Sequence, residues 1–112
     1  MDNNEKAYKA YNKALKGINI KENEKVVLKC KNGWCYHFAH DIPGADIKAH
    51  EKVILELNKP NYSFWFAENI SGANIEEHFK VIFNSGNKYY FNLFIKFVNY
   101  KNTKVEEWLM YI

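Results

Sequence analysis

The sequence predicts an all-α protein, a short α-solenoid of about four helix–turn–helix repeats with about eight short helices. Three observations predict this class: a phrase that returns along the chain, apolar residues at helical spacing within each copy, and turn residues between copies. The clearest copies are FAHDIPGADIKAHEKVIL, from Phe38, and FAENISGANIEEHFKVIF, from Phe66, which are identical at ten of eighteen positions. Repetition at a fixed period of this length is typical of solenoid architectures.

Two weaker copies extend the repeat towards both ends of the chain. YNKALKGINIKENEKVVL begins at Tyr11 and FIKFVNYKNTKVEEWLMY at Phe94, so that successive copies are offset by 27, 28 and 28 residues. In the first copy Tyr11 takes the place of Phe38, and Leu15 takes the place of Ile42. The offsets predict a single helical-repeat domain over residues 1–112, with units of about 5–31, 32–58, 59–86 and 87–112.

The first helix of each unit is predicted from one apolar stripe and from the residues that end it. In the second unit the stripe has spacings of three, four and seven or eight residues, and it comprises Trp34, Cys35, Phe38, Ala39 and Ile42. Pro43 disfavours helical geometry at Ile42, and Gly44 can adopt a positive φ at little cost. We therefore expect this helix to end at Ile42.

The second helix of each unit is predicted to begin at a residue whose side chain can accept a backbone N–H of the first turn. This position is held by Asn19, Asp46, Asn74 and Asn102. Glu22 and Glu77 follow two of these residues at the spacing of a capping box. The apolar face of the second unit's helix would comprise Ile47, His50, Val53, Ile54 and Leu57. One such helix pair cannot bury its apolar stripe alone, whereas stacked pairs share a continuous core.

Composition and charge limit the classes of function. All 16 basic residues are Lys, and the abundant Asn, Ile, Phe and Tyr are typical of an AT-rich genome, so we expect such a bacterium, or its phage or plasmid, as the source. The formal charge is +4 over residues 1–31, −4 over residues 32–79 and +3 over residues 80–112. No apolar run approaches the ~20 residues of a membrane span, and the N-terminus is polar. We therefore expect a cytoplasmic protein that does not associate with membranes and has reduced cysteines.

The pattern FAxxIxGAxI resembles a family of short helical tandem repeats, rich in Phe-Ala and Gly-Ala-Asp-Ile, from AT-rich bacteria and their phages. The resemblance covers about residues 7–100, and its strongest letters are Phe38, Ala39, Ile42, Gly44, Ala45, Asp46 and Ile47 with their counterparts from Phe66 to Ile75. It implies an interaction module with no catalytic residues. The last unit departs from the pattern, because Tyr100 and Lys101 replace Gly-Ala. We expect this unit either to form an atypical cap of the repeat or to adopt a different conformation.

One cluster of metal-ligating residue types occurs in the second unit: Cys30, Cys35, His37 and His40. Only this unit has the set, and Cys35 and His37 would diverge by about 200° on a helix. We therefore expect no metal site, no other cofactor and no disulfide.

His50 and His78 occupy the same position of the second helix in two successive units. We expect two imidazoles at the edge of the apolar stripe, each with a polar partner. The alternative is a paired pH-sensitive or ligand site.

Aromatic residues make up 17% of the chain and give the best indication of function. Five of them lie on helix flanks or in the last helix and are the predicted partner-binding residues: Tyr36, Phe64, Trp65, Trp108 and Tyr111. Packing between neighbouring units is the alternative role for them. A contiguous exposed patch of this kind would mark a partner site.

The function that we expect is non-enzymatic binding of another protein, through the aromatic flanks and the acidic middle of the chain. A stoichiometric inhibitor of a host defence complex, of the anti-CRISPR type, is one concrete version. No nucleophile–base arrangement or Gly-rich phosphate loop can be argued, so we do not expect an enzyme. Two alternatives stay open: a nucleic-acid binder that uses its Lys residues, and a self-associating structural protein that forms homodimers.

Overall fold

The computed structural model describes residues 1–101, and over this range the chain forms seven α-helices and no β-strand. The helices are α1 (Asn3–Leu15), α2 (Ile20–Cys30), α3 (Trp34–Asp41), α4 (Ile47–Leu57), α5 (Pro60–Asn69), α6 (Ile75–Ser85) and α7 (Lys88–Tyr100). The prediction of an all-α protein is confirmed for this range. The predicted eighth helix lies outside the described residues.

The helices pack as successive pairs. Helix α1 packs on α2, α3 on α4, and α5 on α6, while the first helices of neighbouring pairs also contact one another from α1 through α3 and α5 to α7. The second helices do the same from α2 through α4 to α6. None of the helices within residues 1–101 has the length and hydrophobicity needed to cross a bilayer.

Phe38 and Phe66 have the same surroundings in their two units. Both are fully buried. Phe38 stacks on His50 with ring centroids 5.1 Å apart, and Phe66 stacks on His78 with centroids 5.3 Å apart. Burying a Phe side chain stabilises a fold by roughly 1.5–3 kcal/mol, so these two positions contribute strongly to the core of the paired helices.

The predicted ends of the helices in the second unit are confirmed. Helix α3 ends at Asp41, and Ile42 has an extended backbone in front of Pro43. Gly44 has a φ of +79°, a value that would strain any other residue. The Asp46 side chain then accepts the N–H of Ala49 at 3.2 Å and caps helix α4.

The prediction for the first turn of α2 is wrong. Asn19 has a left-handed backbone, with a φ of 43°, and its side chain makes no capping hydrogen bond, so no capping box forms with Glu22. The cap of α6 is present, because Asn74 accepts the N–H of Glu77 at 3.2 Å. In a capping box the Glu77 side chain would accept the backbone N–H of Asn74. Here that N–H donates instead to Glu51 of the preceding unit, at 2.7 Å.

The first unit packs differently from the predicted equivalence. Tyr11 is half-buried and Leu15 is exposed, whereas Phe38 and Ile42 are buried. The buried side chains of α1 are instead the small residues Ala7, Ala10 and Ala14. Their small size suits the close packing of α1 on α2. The half-buried Tyr11 ring packs against the edge of the core and contacts Trp34 and Asp41 of α3.

The fourth unit departs from the repeat where its sequence does. Helix α7 has 13 residues, against eight in α3 and ten in α5. It continues through Tyr100, because the Gly that adopts a positive φ after α3 and after α5 is absent here. The first helix of this unit is therefore longer than α3 and α5, and it has as many residues as α1.

Candidate functional site

A row of aromatic side chains runs across the first helices of three successive units. It begins on α1, crosses α3 and ends on α5, and neighbouring ring centroids are 4.9 to 6.3 Å apart. This spacing is the range in which aromatic rings attract one another beyond the burial of their area. We call it the aromatic row, and it comprises Tyr8, Tyr11, Trp34, His37, Tyr36, Trp65 and Tyr62.

The repeat places the rings in this row. Trp34 and Tyr62 are 28 residues apart and hold equivalent positions at the starts of α3 and α5, and His37 and Trp65 hold a second pair of equivalent positions. Tyr36 bridges the two units, because its ring lies 5.2 Å from that of His37 and 6.3 Å from that of Trp65. Residues that are 28 positions apart in the sequence therefore lie at equivalent positions on the neighbouring helices α3 and α5.

Polar contacts fix the rings at the edges of the row. Trp34 donates its Nε1–H to the Asn4 side chain at 2.8 Å, and Asn69 donates to the Tyr36 hydroxyl at 3.0 Å. The Tyr11 hydroxyl donates to the Asp41 carboxylate. Burial and then the Asp41 contact raise the pKa of Tyr11 to about 12, so the phenol stays neutral and keeps this bond. Hydrogen bonds therefore hold three rings of the row in place.

The row is partly accessible to solvent. Tyr8 is exposed, and Trp34, Tyr36, Tyr62 and Trp65 are half-buried. A cavity of about 310 Å³ opens near the N-terminal ends of α3 and α5, and Trp34, His37 and Tyr62 line it. Gly33 lies at its edge, where a Cβ atom would come within 2.3 Å of the Tyr62 ring. Rings that are anchored but accessible beside a recess are what an interface needs for its anchor side chains.

Of the five predicted partner-binding residues, the structure brings two together in the row, Tyr36 and Trp65. Phe64 is buried, with 6% of its surface exposed, and packs in a core cluster with α6 and α7. Trp108 and Tyr111 lie outside the described residues. The row also contains Tyr8, Tyr11, Trp34 and Tyr62, which the sequence reasoning missed. The 28-residue offset from Trp34 to Tyr62 was the signal that could have found two of them.

A second recurring feature joins the second helices of neighbouring units. Glu24 on α2 accepts from the Asp46 N–H at 2.8 Å and contacts His50 Nε2 at 2.9 Å. Glu51 on α4 makes the same contacts one unit later, with the Asn74 N–H at 2.7 Å and His78 Nε2 at 2.9 Å. Each carboxylate therefore ties the start of the next second helix to the preceding unit. We call these contacts the Glu–His braces.

The imidazoles of the braces are neutral and buried. A carboxylate only accepts hydrogen bonds, so Nε2 carries the proton, and Nδ1 of both rings has no hydrogen-bond partner. Burial lowers the pKa of His50 and of His78, and the hydrogen bonds to Glu24 and Glu51 oppose this shift without cancelling it. The predicted polar partners are confirmed. The predicted edge position is wrong, because both rings are fully buried.

The two cysteines lie in the core. Cys30 and Cys35 are both buried free thiols, and Cys35 contacts the Val27 carbonyl oxygen at 3.7 Å. Burial raises the pKa of the Cys35 thiol to about 12, which keeps it protonated and unreactive. His37 belongs to the aromatic row, and His40 contacts Asp41 at 2.7 Å. Within residues 1–101, no three His, Cys, Asp or Glu side chains lie close enough to hold a metal ion.

The geometry thus gives a partly exposed aromatic surface whose rings contact one another and are held by hydrogen bonds. Comparison of the chain with family models, curated proteins and solved structures finds no match.

Proposed function

We propose that the chain is a non-enzymatic binding module, a short α-solenoid of four stacked units whose aromatic row contacts another protein. The observation that carries this proposal is the continuity of the row, with rings from α1, α3 and α5 in contact from Tyr8 to Tyr62. Trp and Tyr are the residues that most often dominate the binding energy of interfaces.

The rigidity of the row supports the same proposal. Half-buried rings that are already held by Asn4 and Asn69 lose little side-chain entropy when a partner covers them. Large rings on rigid helices therefore bind with a small ordering cost. The solenoid arrangement is supported by the two Glu–His braces, which repeat one contact from unit to unit.

A stoichiometric inhibitor of a host defence complex is the specific form of this function that we propose. Its support is compositional, since abundant Lys, Asn, Ile, Phe and Tyr indicate an AT-rich gene, which suits a mobile genetic element. A protein of this kind acts by covering a surface, so it needs no catalytic group. Residues 32–79 have a formal net charge of −4, so they would bind a basic region of such a target.

Affinity capture from a lysate of an AT-rich bacterial host tests the proposal. We expect the wild-type chain to retain one protein partner at near-physiological salt, and the Tyr8→Ala/Trp65→Ala variant to lose it. The matched control is Tyr89→Ala/Tyr100→Ala, which removes two exposed tyrosines that are not part of the row. Retention by the row variant, or capture of material that nuclease removes, would contradict the proposal.

A further inference from the structure

The recess beside the aromatic row has aromatic walls from two neighbouring helices. It is the cavity of about 310 Å³ at the N-terminal ends of α3 and α5, and the rings of Trp34 and Tyr62 both line it. In the described part of the chain no ring contact joins these two side chains, so the packing of one ring on the other does not close the space. The volume is at the lower end of the range for small-molecule sites.

Four polar side chains that line the recess have donor groups with no acceptor in residues 1–101. The Trp34 indole N–H only donates, so the Asn4 atom that it contacts at 2.8 Å is the amide oxygen, and the Asn4 amide NH₂ group is unpaired. The imidazole of His37, the hydroxyl of Tyr62 and the ammonium of Lys59 also make no hydrogen bond to the described residues. Burial lowers the pKa of His37, so its neutral ring has one N–H to donate.

The potential in the recess is positive. Among the described residues that line it, Lys59 is the charged one, and none is Asp or Glu. Glu5 and Glu56, which adjoin lining residues in the sequence, are exposed and lie outside the recess. Asp41, whose carboxylate acts on His37, lies outside it as well and already accepts a tyrosine hydroxyl. The N-terminal ends of α3 and α5 add further positive potential, so the recess favours an anion.

The walls and the charge together decide which ligand fits. A bare anion would leave the rings of Trp34 and Tyr62 without a partner, and a neutral ring would leave the Lys59 ammonium without one. A ring that carries a carboxylate satisfies both, because aromatic rings attract one another and a carboxylate forms charge-assisted hydrogen bonds with ammonium and N–H donors. A cavity of about 310 Å³ also suits one ring with one acidic group better than a base, sugar and phosphate together.

We propose that the recess binds an aromatic ring that carries a carboxylate, and that this group is the C-terminal Phe, Tyr or Trp of the protein that the aromatic row contacts. The second part rests on the function proposed above for the row. Trp34, His37 and Tyr62 belong both to the row and to the recess, so a chain whose last residue enters the recess would continue along the row. Capture of a terminal carboxylate is a known mode of peptide recognition.

The first probe is N-acetylphenylalanine, which has only the ring and the carboxylate. Its matched controls are N-acetylphenylalaninamide, which has no charge, and N-acetylalanine, which has no ring. Each is titrated into the ¹⁵N-labelled full chain and followed by two-dimensional NMR. We expect the acid to shift the Trp34 indole N–H and the Gly33 amide in a saturable way, with a dissociation constant on the order of 1 mM, and both controls to bind at least about tenfold more weakly.

Substitutions test whether the carboxylate is bound at Lys59. Lys59→Gln removes the charge from an exposed side chain that makes no capping hydrogen bond, so the fold should persist, which the NMR spectrum itself checks. Affinity for N-acetylphenylalanine should fall about tenfold, to that of the amide. Lys52→Gln, at an exposed lysine outside the recess, should leave the affinity unchanged. Tyr8→Ala/Trp65→Ala should also leave it unchanged, so the recess and the function of the row are tested separately.

A longer probe tests the source of the ligand. It is a Gly/Ser peptide of about eight residues that ends in Phe, and its matched control has the same composition with Phe at the centre. We expect the peptide with terminal Phe to bind about tenfold more tightly than N-acetylphenylalanine and to shift the Tyr36 and Trp65 amides as well. Equal affinity of the two ligands, with no shift at Trp65, would overturn the assignment to a chain terminus.

Three further results would overturn the inference. Equal binding of the acid and its amide would remove the role of the carboxylate, and no shift of the Trp34 indole N–H at about 10 mM acid would remove the site. Unchanged affinity of the Lys59→Gln variant would place the anion elsewhere on the molecule.

Discussion

Acidification should destabilise the fold through the two braced histidines. His50 is packed against Phe38 and faces Glu24 and Asp46, and His78 is packed against Phe66 in the equivalent place. The acidic groups facing His78 are Glu51 and Glu77. Protonation would place a charge in the core and give Nδ1 a proton with no acceptor.

The sign and size of the effect follow from proton binding. The folded-state pKa of each imidazole is lowered, whereas the unfolded chain titrates near the ordinary value of about 6.5. As pH falls through that value, the unfolded state binds protons that the folded state does not. Each group then removes up to about 1.4 kcal/mol of stability per pH unit. Between about pH 7.5 and 5.5, the two together should lower the free energy of unfolding by at most about 2.7 kcal/mol, the limit in which neither imidazole binds a proton in the folded state.

Urea denaturation at a series of pH values measures this free energy directly. His50→Asn is the informative variant, because Asn is the residue that the first unit carries at the equivalent position, Asn23. Its absolute stability should be lower, and the loss between pH 7.5 and 5.5 should fall to about half that of the wild type. Because the pKa of the half-buried His37 is also lowered by burial, His37→Gln serves as the background for both measurements.

A stability that stays constant or rises as pH falls from 7.5 to 5.5 would refute this reasoning. A rise would mean that the glutamates hold the imidazoles as cations, and a constant value would mean that folding does not shift the imidazole pKa. NMR titration of the imidazole resonances measures the pKa of each histidine separately and so tests the same reasoning at each residue.

Two further substitutions test the brace and the row. Glu51→Ala leaves the His78 imidazole and a backbone N–H without an acceptor, so it should cost about 2–4 kcal/mol, while Glu56→Ala on the exposed side of the same helix should cost under about 0.5 kcal/mol in urea denaturation. Gly33→Ala places a Cβ atom 2.3 Å from the hydroxyl end of the Tyr62 ring, so this half-buried side chain must move, and the change should destabilise by about 0.5–1.5 kcal/mol. In a Tyr62→Ala background the same change should cost nothing, and an equal cost in both backgrounds would contradict the proposed clash.

The local features of the second and third units could be read from the sequence. Phe38, Ile42, Gly44 and Asp46 have the burial, backbone and capping roles that helical spacing and turn chemistry predict. Each of these roles depends on residues within a few positions along the chain. Propensity and periodicity describe such short-range effects well.

Features that depend on distant residues could not be read in this way. The Asn74 N–H is taken by Glu51, 23 positions away, rather than by Glu77 as the capping-box spacing suggests. Tyr11 matches Phe38 in the repeat, yet α1 buries Ala7, Ala10 and Ala14 instead, and the Tyr11 ring is only half-buried, at the edge of the core. Both outcomes are set by the distances between packed helices, which one unit's sequence does not contain.

The candidate site is predictable only in part for the same reason. The sequence identifies Tyr36 and Trp65 as site residues because they lie on helix flanks. The same criterion wrongly includes Phe64, which is buried. The flank of α5 that carries Phe64 packs against α7, so its exposure depends on a neighbouring helix. The contacts of Trp34 with Tyr8 and Tyr11 likewise arise from the packing of α1 on α3.

The claim that the aromatic row is the binding surface is tested most directly by hydroxyl-radical footprinting of the full chain, alone and with its captured partner. We expect oxidation of Tyr8, Trp34 and Trp65 to fall when the partner is bound, while Tyr89 and Tyr100 are labelled as before. Protection of Tyr89 and Tyr100 with unchanged labelling of the row would contradict the claim.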